Sequence, residues 1–396
     1  MIRRSMLAAA LLTATAIVWA APALAASDPA PTAPTVTGGR WVFTGADSVP
    51  FVYWQGLTHD TQRHLYFIGV FEGGSRTSDT LVQQQRVEQL IPKALTDSVG
   101  FNHIGDPTFD AAGGRIILPM ECYDPTATGA QPSNTCGMGG FGVLDPKTLA
   151  FKYWVRLDQA DIPKAMWAEI DPQGKLVWTS AGDDLLAYRV SDISTAHAAS
   201  AKTSTPIKPV KRLKNTVPAG GISGGAFYDG RLLLSGQDGD LIEISSVDLT
   251  GKTPTRLELG LPGVRAESEG LDIVDARGGL LHFLFSSAVA NPTFGSGHNE
   301  LLTFIPKTAQ KLRLKLSPKS VRVGRATSVS VTVGQTWADT LHPVAGATVT
   351  IAGKRATTNA KGHAKLKVKA VRKGSVKVRA TKAGLPAGSA TIRARK

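Results

Sequence analysis

Gly225-Ala226-Phe227-Tyr228-Asp229, a Gly-Arg turn and then Leu232-Leu233-Leu234 make a short strand that ends in aspartate, a tight turn and a more apolar strand. The same phrase occurs at Gly56 to Asp60 before Leu65 to Ile68, and at Asp106 to Asp110 before Ile116 to Leu118. It returns at Trp167 to Asp171 before Leu176 to Trp178, and at Gly270 to Asp275 before Leu280 to Phe285. The terminal aspartates are 50, 61, 58 and 46 residues apart, a spacing that leaves room for three or four short strands per unit. Asp before Gly or Pro supplies the turn, because its side chain bonds the backbone two residues on. Several copies continue into a third strand, such as Phe141 to Asp145, Leu185 to Tyr188 and Leu241 to Ile244. Regular units of this kind predict an all-β chain with a β-propeller over residues 40–306. Five copies argue for five blades, and six if a degenerate blade lies in Leu81 to Leu95 or Ser194 to Gly220. Trp41 to Thr44 is expected to pair beside Leu301 to Phe304 and close the ring, which leaves few bare strand edges. A two-sheet sandwich is the simpler alternative.

Beyond residue 306 the pattern changes. Residues 307–396 hold 21 lysines and arginines against the single carboxylate Asp339, a balance of +20 in a chain whose total is +14. Residues 27–306 hold 22 basic and 30 acidic residues, a balance of −8. So sharp a division predicts two separately folded bodies, the basic one suited to an anionic partner. Within it the alternation is strict: Leu312, Leu314 and Leu316 between cations, Leu366 and Val368 between Lys365, Lys367 and Lys369, and Val376 and Val378 beside Lys377 and Arg379. One apolar face at period two means antiparallel sheets packed as a sandwich, and the length suits an immunoglobulin-like fold over 307–396.

Met1 to Ala26 has the parts of a secretory signal peptide: Arg3 and Arg4, an apolar run around Met6 to Ala20, and Ala23-Leu24-Ala25 as the exit. The Arg pair also loosely fits a twin-arginine leader. Residues 27–39 are a Pro/Thr/Ala-rich linker. No later run reaches the ~18 apolar residues that span a bilayer, so the product is expected to be secreted or held non-covalently at the envelope. Cys122 and Cys136, the only cysteines, are separated by 13 residues and read as one disulfide closing a surface loop. Such a bridge stabilises by about 3 kcal/mol in the loop-entropy view.

In a propeller the first strand of each blade lines the channel. The polar residues there are Gln55, His103, Asp106, Glu169, Ser223, Glu267 and Glu269, with Glu121 nearby. Carboxylates gathered from several blades repel one another unless a cation or bound protons offset the charge. Hard oxygen ligands suit Ca²⁺, with Asp106, Glu169 and Glu269 as candidate ligands and Gln55, Glu121 and Glu267 as ligand-binding candidates. A channel of merely solvated side chains is the alternative. His103, beside Asp106, is the one histidine placed where a general base would serve. Gly221-Ile222-Ser223-Gly224-Gly225 fits a nucleophile-elbow pattern, but strand and turn residues follow it instead of a helix, so it reads as coincidence. Gly251-Lys252-Thr253 lacks the upstream glycine of a phosphate loop and reads as a turn, and Asp238-Gly239-Asp240 reads as a hairpin turn.

With His103-Ile-Gly-Asp106, Leu144-Asp-Pro-Lys-Thr-Leu149 and Glu267-Ser-Glu-Gly-Leu271, the acidic body resembles secreted bacterial β-propeller proteins of the lactonase-like, phytase-like and NHL/YVTN-like kind. That resemblance implies a divalent cation at the channel mouth, for which Asp106, Glu169 and Glu269 would be the counterparts. Gly346, Ala347, Val349, Thr358 and Gly362 make the basic body similar to bacterial Ig-like and carboxypeptidase regulatory-like domains. Such domains are spacers, adhesive modules or wall-binding modules. The function expected is an exported binding protein: an acidic propeller that presents a ligand surface, and a basic module that docks on an anionic envelope or extracellular polymer through Lys365, Lys367, Lys369, Lys377 and Arg379. The alternative is a divalent-metal-dependent hydrolase of lactonase, esterase or phosphoester type. Apart from Trp337 the basic body has no aromatic residue to stack on bases, so single-stranded nucleic acid is not the expected partner.

Overall fold

Period-two alternation between turn signals builds antiparallel sheets throughout. The computed structural model describes residues 34–49, 55–69, 73–124, 135–218, 221–238, 241–250, 255–262, 267–286 and 299–396. The leader reading on residues 1–26, residues 27–33 of the linker, the Gly251-Lys252-Thr253 turn and residues 239–240 lie outside them. The chain is all-β and β-propeller-like, with a single short α-helix, Lys93–Val99, among the described residues.

Among the described residues five sheets follow one another before residue 307. The first is Gly56–His59, Leu65–Ile68, Gly74–Thr77 and Gln83–Val87, paired in chain order. In the second, His103–Ile104 and Thr108–Asp110 both pair with Arg115–Glu121, which leads to Gly140–Leu144 and Phe151–Arg156. The third runs from Glu169–Ile170 through Leu176–Ala181 and Asp184–Arg189 to Lys211–Leu213, and the fourth from Gly221–Tyr228 to Arg256–Pro262. The fifth takes Glu267–Ala276, Gly279–Ser286 and Asn299–Pro306, and then borrows Trp41–Val49 from the start of the chain. Phe43 sits opposite Phe304 and Val42 opposite Ile305 in that join. The strands found in Leu81 to Leu95 and Ser194 to Gly220, Gln83–Val87 and Lys211–Leu213, are the outer strands of the first and third sheets. Gly221 to Gly225 lies inside a strand, without an elbow.

Core residues fill the spaces between neighbouring sheets. Ile117, Phe141, Val177, Leu186 and Tyr188 join the second sheet to the third, and Trp41, Leu233, Leu259, Leu281 and Phe304 join the fourth to the fifth. The disulfide Cys122–Cys136 is present, with Cα atoms 5.6 Å apart.

After the turn at Lys307–Gln310 the chain forms a two-sheet sandwich. One sheet holds Arg313–Ser317, Ala326–Trp337, Thr340–Pro343 and His363–Lys369. The other holds Ser320–Arg322, Leu385–Arg395, Gly374–Lys382, Thr348–Ile351 and Lys354–Thr357. Val329, Val331, Leu366 and Val368 meet Val349, Val378 and Ile392 in a core of their own. Trp337 leaves that core and packs with Leu281 and Phe304 of the fifth sheet. Its indole N–H donates to Asp275 Oδ1 at 2.9 Å, and the His342 ring stacks on it at 3.6 Å.

Candidate functional site

The five innermost strands converge on Asp106, which is fully buried. Its backbone N–H donates to Met166 O at 3.0 Å and its carbonyl accepts from Ala168 N–H at 2.9 Å, a parallel bridge to the third sheet. Its carboxyl accepts the N–H of Leu57 at 2.8 Å, of Leu271 at 3.2 Å and of Gly225 at 3.3 Å. One aspartate therefore touches the first strand of each of the other four sheets. Burial pushes its pKa well above the carboxylate range, the Leu57 and Leu271 N–H groups oppose that, and the Asp272 and Glu169 charges reinforce it.

Glycines make this convergence possible. A Cβ on Gly105 would lie 1.7 Å from Met166 O, one on Gly270 2.5 Å from Leu57 N, and one on Gly224 2.7 Å from Asp106 Oδ2. At this level the inner strands meet as a close-packed plug around the buried Asp106.

The other carboxylates lie on either side of that plug. Glu269 comes two residues before Leu271 and accepts from Gln55 Nε2 at 3.3 Å; burial raises its pKa, with the Glu267 and Asp106 charges adding to it. Glu169 comes two residues after Trp167, on the opposite side. It accepts from Thr108 Oγ1 at 2.9 Å and from Phe227 N–H at 3.4 Å, and burial, with the Asp272 charge, pushes its pKa up to about 8. Asp106, Glu169 and Glu269 are thus strung along the axis instead of ringing one point. Among the described residues no group of three or more His, Cys, Asp or Glu is placed to hold a metal ion. Of the remaining sequence candidates, His103 lies beside Glu121, with Nδ1 3.0 Å from Oε1, and not against Asp106. Glu121 is buried and Glu267 is exposed.

Beyond the plug, on the Glu169 side, His59 Nδ1 lies 2.8 Å from Asp272 Oδ2. Burial works to lower the His59 pKa, but the Asp272 carboxylate more than offsets it and the net shift is upward. His282, opposite Asp272 in the fifth sheet, is fully buried and its pKa falls to about 4 through that burial. His59 and Asp272 were not singled out by the sequence. Both stand in quoted strand phrases, where their position at the far end of an inner strand was the available signal.

At the mouth where the inner strands begin, a cleft of about 690 Å³ opens between the third, fourth and fifth sheets. Lys164, Asp183, Ser223, Gln237, Glu267 and Ser268 give it polar walls, and Met166 and Ile222 an apolar floor. Ser223 and Ser268 are joined by a hydrogen bond of 2.9 Å. Ser223 and Glu267 are the residues the sequence placed at strand starts, whereas Gln55 and Glu269 are buried behind them.

No protein-family model matches the chain, and no curated protein matches it. Among solved structures, two of an exo-β-1,3-galactanase from Phanerochaete chrysosporium with β-1,3-galactotriose align at 8% and 10% identity, with TM-scores of 0.40 and 0.41. They cover 89% and 91% of this chain and 99% of the galactanase. The extracellular domain of a hybrid two-component system from B. thetaiotaomicron aligns at 12% identity and a TM-score of 0.32, over 92% of this chain and 55% of that one. Likenesses this distant say nothing of activity. No helix among the described residues is long and apolar enough to cross a membrane.

Proposed function

We propose that this chain is an exported binding protein with two working surfaces. The five sheets act as the blades of a five-bladed propeller over residues 40–306, which takes a small polar ligand in the mouth cleft. The sandwich of residues 307–396 is an Ig-like module that docks on an anionic polymer of the envelope or extracellular matrix. One observation carries the docking reading: among the described residues no carboxylate pairs with any lysine or arginine of the sandwich strands, although the body attached to them is acidic. His342 is the sandwich residue that meets a propeller carboxylate, at 3.2 Å from Asp275 Oδ1. The cations are therefore free for an external partner, and their mutual repulsion is relieved when one binds.

Metal-dependent hydrolysis is the weaker reading. Asp106, its central candidate ligand, already accepts three backbone N–H groups, and His103 is turned to Glu121.

The mature full chain is expected to be retained on an immobilised anionic polymer at low salt and released as ionic strength rises, since exposed charges more than a Debye length apart stop attracting. Passage through the column without retention, or retention unchanged at 1 M salt, would exclude docking by charge.

A further inference from the structure

The sandwich cations are not spread evenly. On the strand His363–Lys369, Ala364, Leu366 and Val368 point into the core, which turns Lys365, Lys367 and Lys369 outward on one straight line. In a strand, alternate residues repeat at roughly 6.8 Å, so these ammonium groups form a rail of that pitch. The neighbouring strand Ala326–Trp337 sets Ser330 opposite Lys365 and Ser328 opposite Lys367. Both serines are exposed, and among the described residues neither hydroxyl is engaged in a hydrogen bond. Thr332, one step along, bonds His363 Nδ1 at 3.0 Å and ends the row. Across that row lies Lys315, opposite Thr332 on the strand Arg313–Ser317. A rail of charges thus runs beside a rail of hydroxyl donors, with no carboxylate on either.

We infer that this face binds a linear polyol phosphate, a chain of phosphodiester-linked glycerol-type units. The inference rests on the docking reading above and narrows it to one face and one chemistry. A strand repeats every two residues, which is six backbone atoms. A phosphodiester-linked three-carbon polyol also repeats every six backbone atoms, so the extended polymer keeps pace with the rail. Phosphates at Lys365 and Lys367 each meet an ammonium and a serine hydroxyl, and the one at Lys369, opposite Ala326, meets the ammonium alone. Lysines contact phosphate as point charges, without the planar fork that arginine brings. The rail has no aromatic ring to hold a base, which favours a bare polyol over single-stranded nucleic acid.

The test is calorimetric titration of the mature full chain with synthetic poly(glycerol phosphate), beside single-stranded DNA of equal phosphate number and phosphatidylglycerol vesicles. Replacing Lys365, Lys367 and Lys369 by alanine together is expected to weaken poly(glycerol phosphate) binding at least tenfold. It should also reduce the slope of log affinity against log salt by about 2, the loss of three phosphate contacts. Removing the same charge from the opposite face, with Arg322→Ala, Arg393→Ala and Arg395→Ala, is expected to weaken it less than threefold. Ser328→Ala with Ser330→Ala should weaken binding and leave the salt slope unchanged. Circular-dichroism melts confirm that each variant is folded. Equal weakening by the two triple variants, or tighter binding of DNA or vesicles than of poly(glycerol phosphate), overturns the rail while docking stands. Absence of binding to all three polyanions overturns docking as well.

Discussion

Glu169 shows how a single buried carboxyl couples this protein to pH. Its unfolded value lies near 4.5 and its folded value at about 8, so between those limits the folded chain holds a proton that the unfolded chain has released. Stability from this group is complete below the lower limit, declines as pH rises and levels off above the upper one. Glu169→Gln keeps the neutral shape and removes the titration. Thermal melts from pH 5 to 9 should therefore show a decline in the native protein that is visibly flatter in the variant. Parallel curves would mean that Glu169 does not carry this proton. Asp106 marks the limit of reading at this scale. A carboxylate at the start of an inner strand was legible, and a metal ligand was the natural inference from it. Its N–H donors lie 49, 119 and 165 residues away in sequence, and only the closed ring brings them together.

Hairpins were the most legible elements, because the Asp turn and the apolar second strand are local and repeat. Outer strands were not. Gln83–Val87 reads Gln-Gln-Gln-Arg-Val and is largely exposed, so it has no apolar alternation to reveal it. Lys211–Leu213 hides in a Lys-rich insertion for the same reason. The inner strands carry a further constraint invisible to pattern: backbones pressed together where a side chain would intrude. Gly105→Ala puts a methyl group into the Met166 carbonyl. Overpacking of this kind destabilises by about 3 kcal/mol where the backbone must shift. A urea midpoint lowered accordingly would support the close approach, and an unchanged midpoint would contradict it.

At the scale of the whole molecule, the partition of charge was plain in composition, and so was a basic sandwich with its own apolar interior. What the sequence concealed is Trp337, the one tryptophan of the basic region, which anchors the sandwich to the fifth sheet through Leu281, Phe304 and Asp275. Truncating a buried tryptophan typically removes about 3–5 kcal/mol. Trp337→Ala is expected to leave both interiors intact but uncouple them, so that a single urea transition divides into two. A variant that still unfolds in one step would show that other contacts suffice for the coupling.

The strand Trp41–Val49 completes the fifth sheet, and its nearest partner pair, Val49 with Asn299, spans 250 positions of chain. A polypeptide made from its amino end delivers this strand early and its mate some 250 residues later. In the interval the segment has nowhere to dock, and both it and the waiting sheet margin offer unpaired amides to any passing neighbour. Circular order is thus established late and all at once, by a long-range closure of the sort that slows folding. Escorts that shield extended segments would act most usefully on this early strand, well before the basic end of the protein has been made.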